Sequence, residues 1–379
     1  MNTPSSILDR THELLSELLS LFSQFNCPKA YITSLKSSIN ELSKPCRLAI
    51  TGRVKAGKST LINVLLGGDY AKVGVLETTA TINIFEYGSP QSLDKPILCK
   101  FISGEKKWIS RQELDNLQGN TESIISKISE IESLTYYLND NRLKNVTLID
   151  TPGIDAVVGR NGDDHQKQTE LFLGLRNRHK EQTIELSNNA DAVVLLLGEV
   201  TYEDDVDFID SFLNSRGSNS SINTIGVLSQ IDLSDERIEN RLENAKERYN
   251  KLSKYVNCVV PLSAGLKYYL PSQETCKEIK NTLSKIPTKE LLTSILLRSP
   301  QSYFSKVLPG INLSLEERGG IYPEGMPFRC FSVIARLLYE NDIEETINKI
   351  NDISGIDNLS EILDSYFFKR SRQIKAENS

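Results

Sequence analysis

Apolar residues recur at helical spacing from the start of the chain. Leu8, Leu15, Leu18, Phe22 and Phe25 share one face of a helix over residues 7–25, and after Pro28 the set Tyr31, Leu35, Ile39 and Leu42 predicts a second helix. Up to Phe25 the only Lys or Arg is Arg10, against Asp9, Glu13 and Glu17, so these faces are expected to pack on other helices rather than on a membrane surface. The pattern then changes to short β-rich runs at 47–51, 81–87, 146–150, 192–197, 224–229 and 258–262, separated by longer helical patterns, with further strand-like segments at 97–102 and 134–138. This alternation predicts an α/β fold with a mainly parallel sheet covered by helices. The run AVVLLL at 192–197 has no polar alternation and is expected in the centre of the sheet, buried on both faces.

Beyond about residue 300 no strand signal returns. Cys330, Phe331, Ile334, Leu337 and Leu338 mark one helical stripe, Leu359, Ile362, Leu363, Tyr366 and Phe367 another, and the turn-rich stretch 319–327 sets them apart. The expected organisation is N-terminal helices over 1–43, a sheet domain over 44–300 and C-terminal helices over 301–379, with the two helical parts joined in one neck-like bundle beside the sheet.

Composition narrows the function classes. With 39% hydrophobic and 25% charged residues in 379, the chain reads as globular, and a net charge of −6 argues against a general nucleic-acid binder. Six dispersed cysteines without a C-x-x-C pair suggest reduced core thiols, not a zinc site or a disulfide framework. The N-terminus lacks signal-peptide character and no window approaches 18 apolar residues, so a cytoplasmic protein without a membrane span is expected.

The chemistry starts where the first strand runs into Gly52-Arg53-Val54-Lys55-Ala56-Gly57-Lys58-Ser59-Thr60 and then into a helical pattern, which is G-x-x-x-x-G-K-[ST] in strand–loop–helix context. Gly52 and Gly57 let the backbone curl so that its N–H groups face phosphate oxygens, and the new helix adds its positive end. Lys58 is expected to reach the β- and γ-phosphates and the Ser59 hydroxyl to ligate Mg²⁺. Downstream, the strand ending at Asp150 continues as Thr151-Pro152-Gly153, a D-x-x-G arrangement in which Asp150 would hold Mg²⁺ through water and the Gly153 N–H would sense the γ-phosphate. The intervening Glu77-Thr78-Thr79-Ala80-Thr81 is the candidate switch. Thr79 is preferred over Thr78 and Thr81 as the residue giving its hydroxyl to Mg²⁺ and its N–H to the γ-phosphate.

A base selector follows at Ser229-Gln230-Ile231-Asp232, which fits [NT]-K-x-D at Asp232 but has Ser and Gln at its first two positions. The carboxylate would accept from N1–H and the 2-amino group of guanine, donors that adenine lacks; Gln230 can pack over the base but brings no charge. Val260-Pro261-Leu262-Ser263-Ala264-Gly265 then closes a strand with a Ser-Ala step whose N–H groups suit guanine O6. A P-loop ATPase would require Asp232 to be incidental.

These motifs, in this order, resemble the large GTPases of the dynamin superfamily, particularly bacterial dynamin-like proteins. The likeness is carried by GRVKAGKSTLINVLLG, LETTATINIFEYG, LKNVTLIDTPGID, ADAVVLLLGEVTYEDDVDFI, LSQID and VVPLSAGL, and extends to SGIDNLSEILDSYF among the C-terminal helices. The resemblance implies GTP as substrate and GDP as product, Mg²⁺ dependence, dimerisation of GTPase domains across the nucleotide face, hydrolysis stimulated by that dimer, and a neck bundle built from flanking helices. The partner would be a second copy or another dynamin-like chain, which could also bring the protein to a membrane. Val54-Lys55 stand where eukaryotic dynamins carry a glutamine and a serine that organise catalysis and a monovalent cation, so the Lys55 ammonium is a candidate replacement for that charge. Ile154 occupies the place of the water-orienting glutamine of small GTPases, leaving that task to groups positioned by dimerisation. The chain reaches Ser379 without room for the long stalk and membrane-binding element of membrane-remodelling members, so remodelling by this chain alone is not expected. The alternative is a GTP-binding scaffold or regulatory protein with negligible turnover.

Overall fold

The computed structural model describes residues 7–25, 27–52, 56–71, 81–116, 127–151, 190–198, 223–296, 300–305, 310 and 313–377. Nine strands are seen among these residues: β1 Cys46–Gly52, β2 Ile82–Tyr87, β3 Ile97–Phe101, β4 Lys106–Ile109, β5 Ile131–Leu138, β6 Val146–Asp150, β7 Ala192–Leu197, β8 Thr224–Leu228 and β9 Cys258–Pro261. They form one sheet in the order β4-β3-β5-β2-β6-β1-β7-β8-β9. From β6 to β9 all neighbours run parallel. The β2 strand is antiparallel to β6 and parallel to β5, and β3 is antiparallel to both β4 and β5.

The strand expected at the centre is there. All six residues of β7 are buried between β1 and β8, as a strand covered on both faces requires. The sequence pattern did not mark β4, which reads KKWI with its two lysines exposed. An edge strand carries little apolar signal, and lysines there discourage pairing with other chains.

The longer helices used below are α1 Ile7–Gln24, α2 Lys29–Leu42, α3 Lys58–Leu66, α4 Arg241–Leu252, α5 Gln273–Leu283, α6 Lys289–Leu296, α7 Phe328–Glu340, α8 Ile343–Ser354, α9 Ile356–Leu363 and α10 Ser371–Glu377. Among the described residues, two large cores and two smaller clusters hold the molecule together. The first lies on one face of the sheet, where Leu48, Ile50, Leu61, Phe85, Leu148 and Val194 meet Leu359, Leu363, Phe367 and Ile374 of the C-terminal segment. The second runs through α5, α6, α7 and α8, from Leu266 to Ile350, with Cys276, Leu292, Phe331 and Ile334 at its centre. The stripes predicted from Cys330 to Leu338 and from Leu359 to Phe367 thus sit in different cores.

The two chain ends meet, since α1 packs on α2 and on α10. Lys375 of α10 is buried and pairs with Asp191 at 3.0 Å, just before β7, while Asp191 also accepts from the Arg47 amide at 2.8 Å. Glu41 of α2 joins this group through Arg47 at 2.8 Å. Leu18 and Phe25, expected to pack on other helices, are instead exposed together with Leu14 and Leu21.

The corner between α8 and α9 depends on Gly355, whose φ of +69° lies in the left-handed region. A Cβ there would overlap the carbonyl oxygen of Pro261 at the end of β9. Gly355→Ala therefore combines left-handed strain with a backbone clash and should lower stability by about 2 kcal/mol. Chemical denaturation checks this, and wild-type stability would contradict the close approach.

Candidate functional site

Because β6, β1, β7, β8 and β9 run parallel, their C-terminal ends lie along one edge of the sheet, where open α/β folds hold ligands. At this edge β1 ends in Gly52, and after the loop Gly57 caps α3 with φ +92°, a conformation that favours glycine. Lys58 opens the helix. It is buried, and its Nζ donates to the Gly52 carbonyl at 3.0 Å, folding the side chain back over the loop. Ser59 Oγ donates to Asp150 Oδ2 at 3.4 Å.

Asp150 sits at the end of β6 with Ile50 on one side and Asn83 of β2 on the other. Asn83 Nδ2 also donates to Oδ2, at 3.3 Å. The second oxygen, Oδ1, is buried with no hydrogen-bond partner among the described residues, and so is the Thr51 hydroxyl next door. Burial pushes the Asp150 carboxyl above the usual carboxylate range, opposed by the Lys58 charge. Burial likewise pulls the Lys58 ammonium down, opposed by Asp150. A carboxylate and an ammonium desolvated together, with one oxygen unsatisfied, mark a place prepared for a ligand rather than a settled core. The oxygen donors present, a carboxylate with a spare oxygen and a serine hydroxyl, suit Mg²⁺, which prefers hard oxygen ligands.

Two strands away, Ser229 follows β8 and anchors to the Leu197 carbonyl through both its amide at 3.0 Å and its hydroxyl at 3.1 Å. Gln230 then takes φ +57°, the one non-glycine left-handed residue among those described. The turn brings Asp232 into a nearly closed position, 8% exposed. Its Oδ1 accepts from Ser263 Oγ at 2.5 Å, so the end of β9 and the turn after β8 are joined at this carboxylate. Ala264 begins the short helix that follows.

Gly52, Ala56, Gly57, Lys58, Ser59, Thr60, Asp150, Gln230, Asp232, Ser263 and Ala264 are thus all located at or beside the ends of these parallel strands. Arg53, Val54, Lys55, Thr78, Thr79, Gly153 and Ile154 lie outside the described residues. Asn83 was not singled out from the sequence, although a buried amide inside the apolar run INIFEY is the kind of interruption that signals a polar task. The sequence marks Cys330 only as part of an apolar helical stripe and does not single out Arg329, yet Arg329 Nε donates to the Asp232 carbonyl and Cys330 Sγ lies 3.8 Å from Asp232 Oδ2.

A model of the Dynamin family matches residues 48–231, from the first site strand to the residue before Asp232. The matched span and the relatives that follow support a dynamin-superfamily GTPase. Among curated relatives, it is 28% identical over 280 residues to Dynamin-like protein 2 of Campylobacter jejuni, covering 74% of this chain and 38% of that protein. It is 26% identical over 258 residues to an uncharacterised protein of Caldicellulosiruptor, covering 63% of this chain and 60% of that one. The chain therefore spans less than two thirds of the length of either relative.

Among solved structures, a bacterial dynamin pair described as oligomerised and as sensing and tethering membranes is similar at a TM-score of 0.45 and 15% identity, over 80% of this chain and 50% of that one. Era of Aquifex aeolicus bound to GDP·AlF4⁻ is similar at a TM-score of 0.31 and 15% identity, over 67% and 68% of the two chains. Asp232, Ser263 and the two α7 residues that touch the Asp232 turn all lie beyond the span that the family model matches.

Proposed function

We propose that this chain binds GTP along the C-terminal edge of β6, β1, β8 and β9 and hydrolyses it to GDP and phosphate with Mg²⁺, in a dimer formed across the nucleotide face. The observation that carries the reading is the shared edge: Lys58, Ser59 and Asp150 gather at its phosphate end, and Asp232 with Ser263 at its base end. Lys58 would leave the Gly52 carbonyl for the β- and γ-phosphates, where a desolvated ammonium is worth more than in water. Ser59 would ligate Mg²⁺ directly and Asp150 through water; the ion would neutralise charge between the β- and γ-phosphates. Thr79 and Gly153 would report the γ-phosphate, and Gly52 to Thr60 would wrap the phosphates with backbone N–H groups. Asp232 would read N1–H and the 2-amino group of guanine, Gln230 would cover the base, and the Ser263–Ala264 step would meet O6.

Hydrolysis would draw on the dimer, with the Lys55 ammonium supplying positive charge where it develops in the transition state. Movement would pass to the helices that close on this domain, the C-terminal segment in the first core and the α1–α2–α10 group around Lys375. In the division into 1–43, 44–300 and 301–379, α7 of the last part would stay on the Asp232 turn while α1, α2 and the segment after α8 carry the movement. Turnover per molecule should rise with protein concentration and should change less than about twofold between potassium and sodium at equal ionic strength. Phosphate release measured across a concentration series in both salts tests this. GTP binding without phosphate release at any concentration would favour the GTP-binding scaffold, the reading supported by the uncharged Gln230 and by Ile154.

A further inference from the structure

The base-reading turn is held from outside the sheet domain. Asp232 has three tethers to other elements: Ser263 Oγ on Oδ1 at 2.5 Å, Cys330 Sγ at 3.8 Å from Oδ2, and Arg329 Nε on the main-chain carbonyl. Two of the three come from the first turn of α7. We infer that Arg329 and Cys330 are positioning residues for guanine recognition, so that base affinity depends on how α7 is seated; this rests on the reading of Asp232 as the guanine reader.

Each carboxylate oxygen has two lone pairs. Ser263 and Cys330 take one on each oxygen, which fixes the plane and rotation of the carboxylate while leaving one acceptor site per oxygen for the two guanine donors. Burial and the neighbouring Asp232 raise the Cys330 thiol, so it stays a protonated donor and not a reactive thiolate. Gly265 lies beside the thiol, and a Cβ added there would stand 3.2 Å from Sγ.

Arg329 adds a second hold on the same turn. Besides the Asp232 carbonyl it pairs with Asp235 at 2.8 Å, and Arg336, two turns along α7, pairs with the same carboxylate at 2.6 Å. These guanidinium groups, Arg336 first, hold Asp235 down to about 2, so the pairing persists through the physiological range. The helix carrying them is a fixed platform, because Phe331, Ile334, Ala335 and Leu338 are all fully buried in the second core. Gln230 brings no charge to this turn, and the charged braces on it come from a helix about 100 residues later in the chain.

The test uses the full chain, with GDP and with IDP, which lacks the 2-amino group and so reports one of the two hydrogen bonds to Asp232. Cys330→Ala removes the thiol donor, Cys330→Ser restores a donor, and Arg329→Lys keeps a charge near Asp235 but loses the planar fork that reaches both acidic residues. For variants that melt cooperatively, Cys330→Ala and Arg329→Lys should bind GDP about 3–30-fold more weakly, with the preference for GDP over IDP reduced. Cys330→Ser should recover most of both. In steady state the loss should appear in KM, with kcat held within about threefold, because a misplaced base reader weakens ground and transition states alike. Unchanged GDP affinity and an unchanged GDP-to-IDP ratio in folded Cys330→Ala and Arg329→Lys would overturn the inference. If Asp232→Asn itself leaves base preference untouched, the base-reader assignment fails and takes this inference with it. If Asp232→Asn turns preference toward xanthine while the α7 variants match wild type, the inference alone falls.

Discussion

Lys58→Ala should abolish tight GTP binding while leaving the fold intact. The ammonium is positioned at the head of α3, already desolvated, with its Nζ on the Gly52 carbonyl at 3.0 Å. Replacing that bond by charge-assisted bonds to two phosphates is worth on the order of 3–5 kcal/mol, a factor of several hundred or more in affinity. The same ammonium offsets the burial of Asp150 and donates to the Gly52 carbonyl, so its loss should lower the nucleotide-free melting temperature modestly while leaving a cooperative transition. The rise that GTP and Mg²⁺ give the wild type should vanish. Unchanged GTP affinity in a cooperatively melting variant would mean that the loop before α3 is not the phosphate site.

Asp232→Asn should turn base preference from guanine toward xanthine. An asparagine amide can donate to the 2-oxo group of xanthine, where the carboxylate can only accept. Losing one of the two guanine hydrogen bonds and setting an amide donor against the other guanine donor, in a site that is 8% exposed, should cost GTP on the order of 2–4 kcal/mol, roughly 30- to 1000-fold. The Ser263 hydroxyl, now 2.5 Å from Oδ1, can still donate to the amide oxygen, so the turn should keep its shape. Competition of GTP and XTP against a labelled nucleotide gives the ratio directly. A variant that keeps its guanine preference would remove Asp232 from base recognition.

What the sequence made legible was whatever is encoded locally. The β7 strand announced itself because a parallel strand buried on both faces must be apolar at every position, and AVVLLL is. The proposed phosphate loop stands out in the sequence because the chemistry it would serve needs particular residues a fixed distance apart between a strand and a helix. Contacts made by distant parts of the chain left no such trace. Asn83 reaches Asp150 across 67 residues, Lys375 reaches Asp191 across 184, and Arg329 reaches Asp232 across 97. Each is an ordinary residue in its own window, and only the fold gives it a partner. Gly355 belongs with them in part: its left-handed φ is the local need of the helix it ends, while the Pro261 carbonyl that leaves no room for a Cβ comes from a distant strand. The same holds for β4, whose lysines read as solvent-exposed loop until the sheet edge is known.

Nucleotide titration of the unmodified chain tests the central claim most directly. Calorimetry with GTP and with ATP, each with Mg²⁺, should give saturable one-to-one binding of GTP and at least about 100-fold weaker binding of ATP, because adenine offers Asp232 neither donor. Equal affinity for ATP, or no binding of GTP, would contradict the joint reading of Lys58 and Asp232 as the two ends of one guanine-nucleotide site.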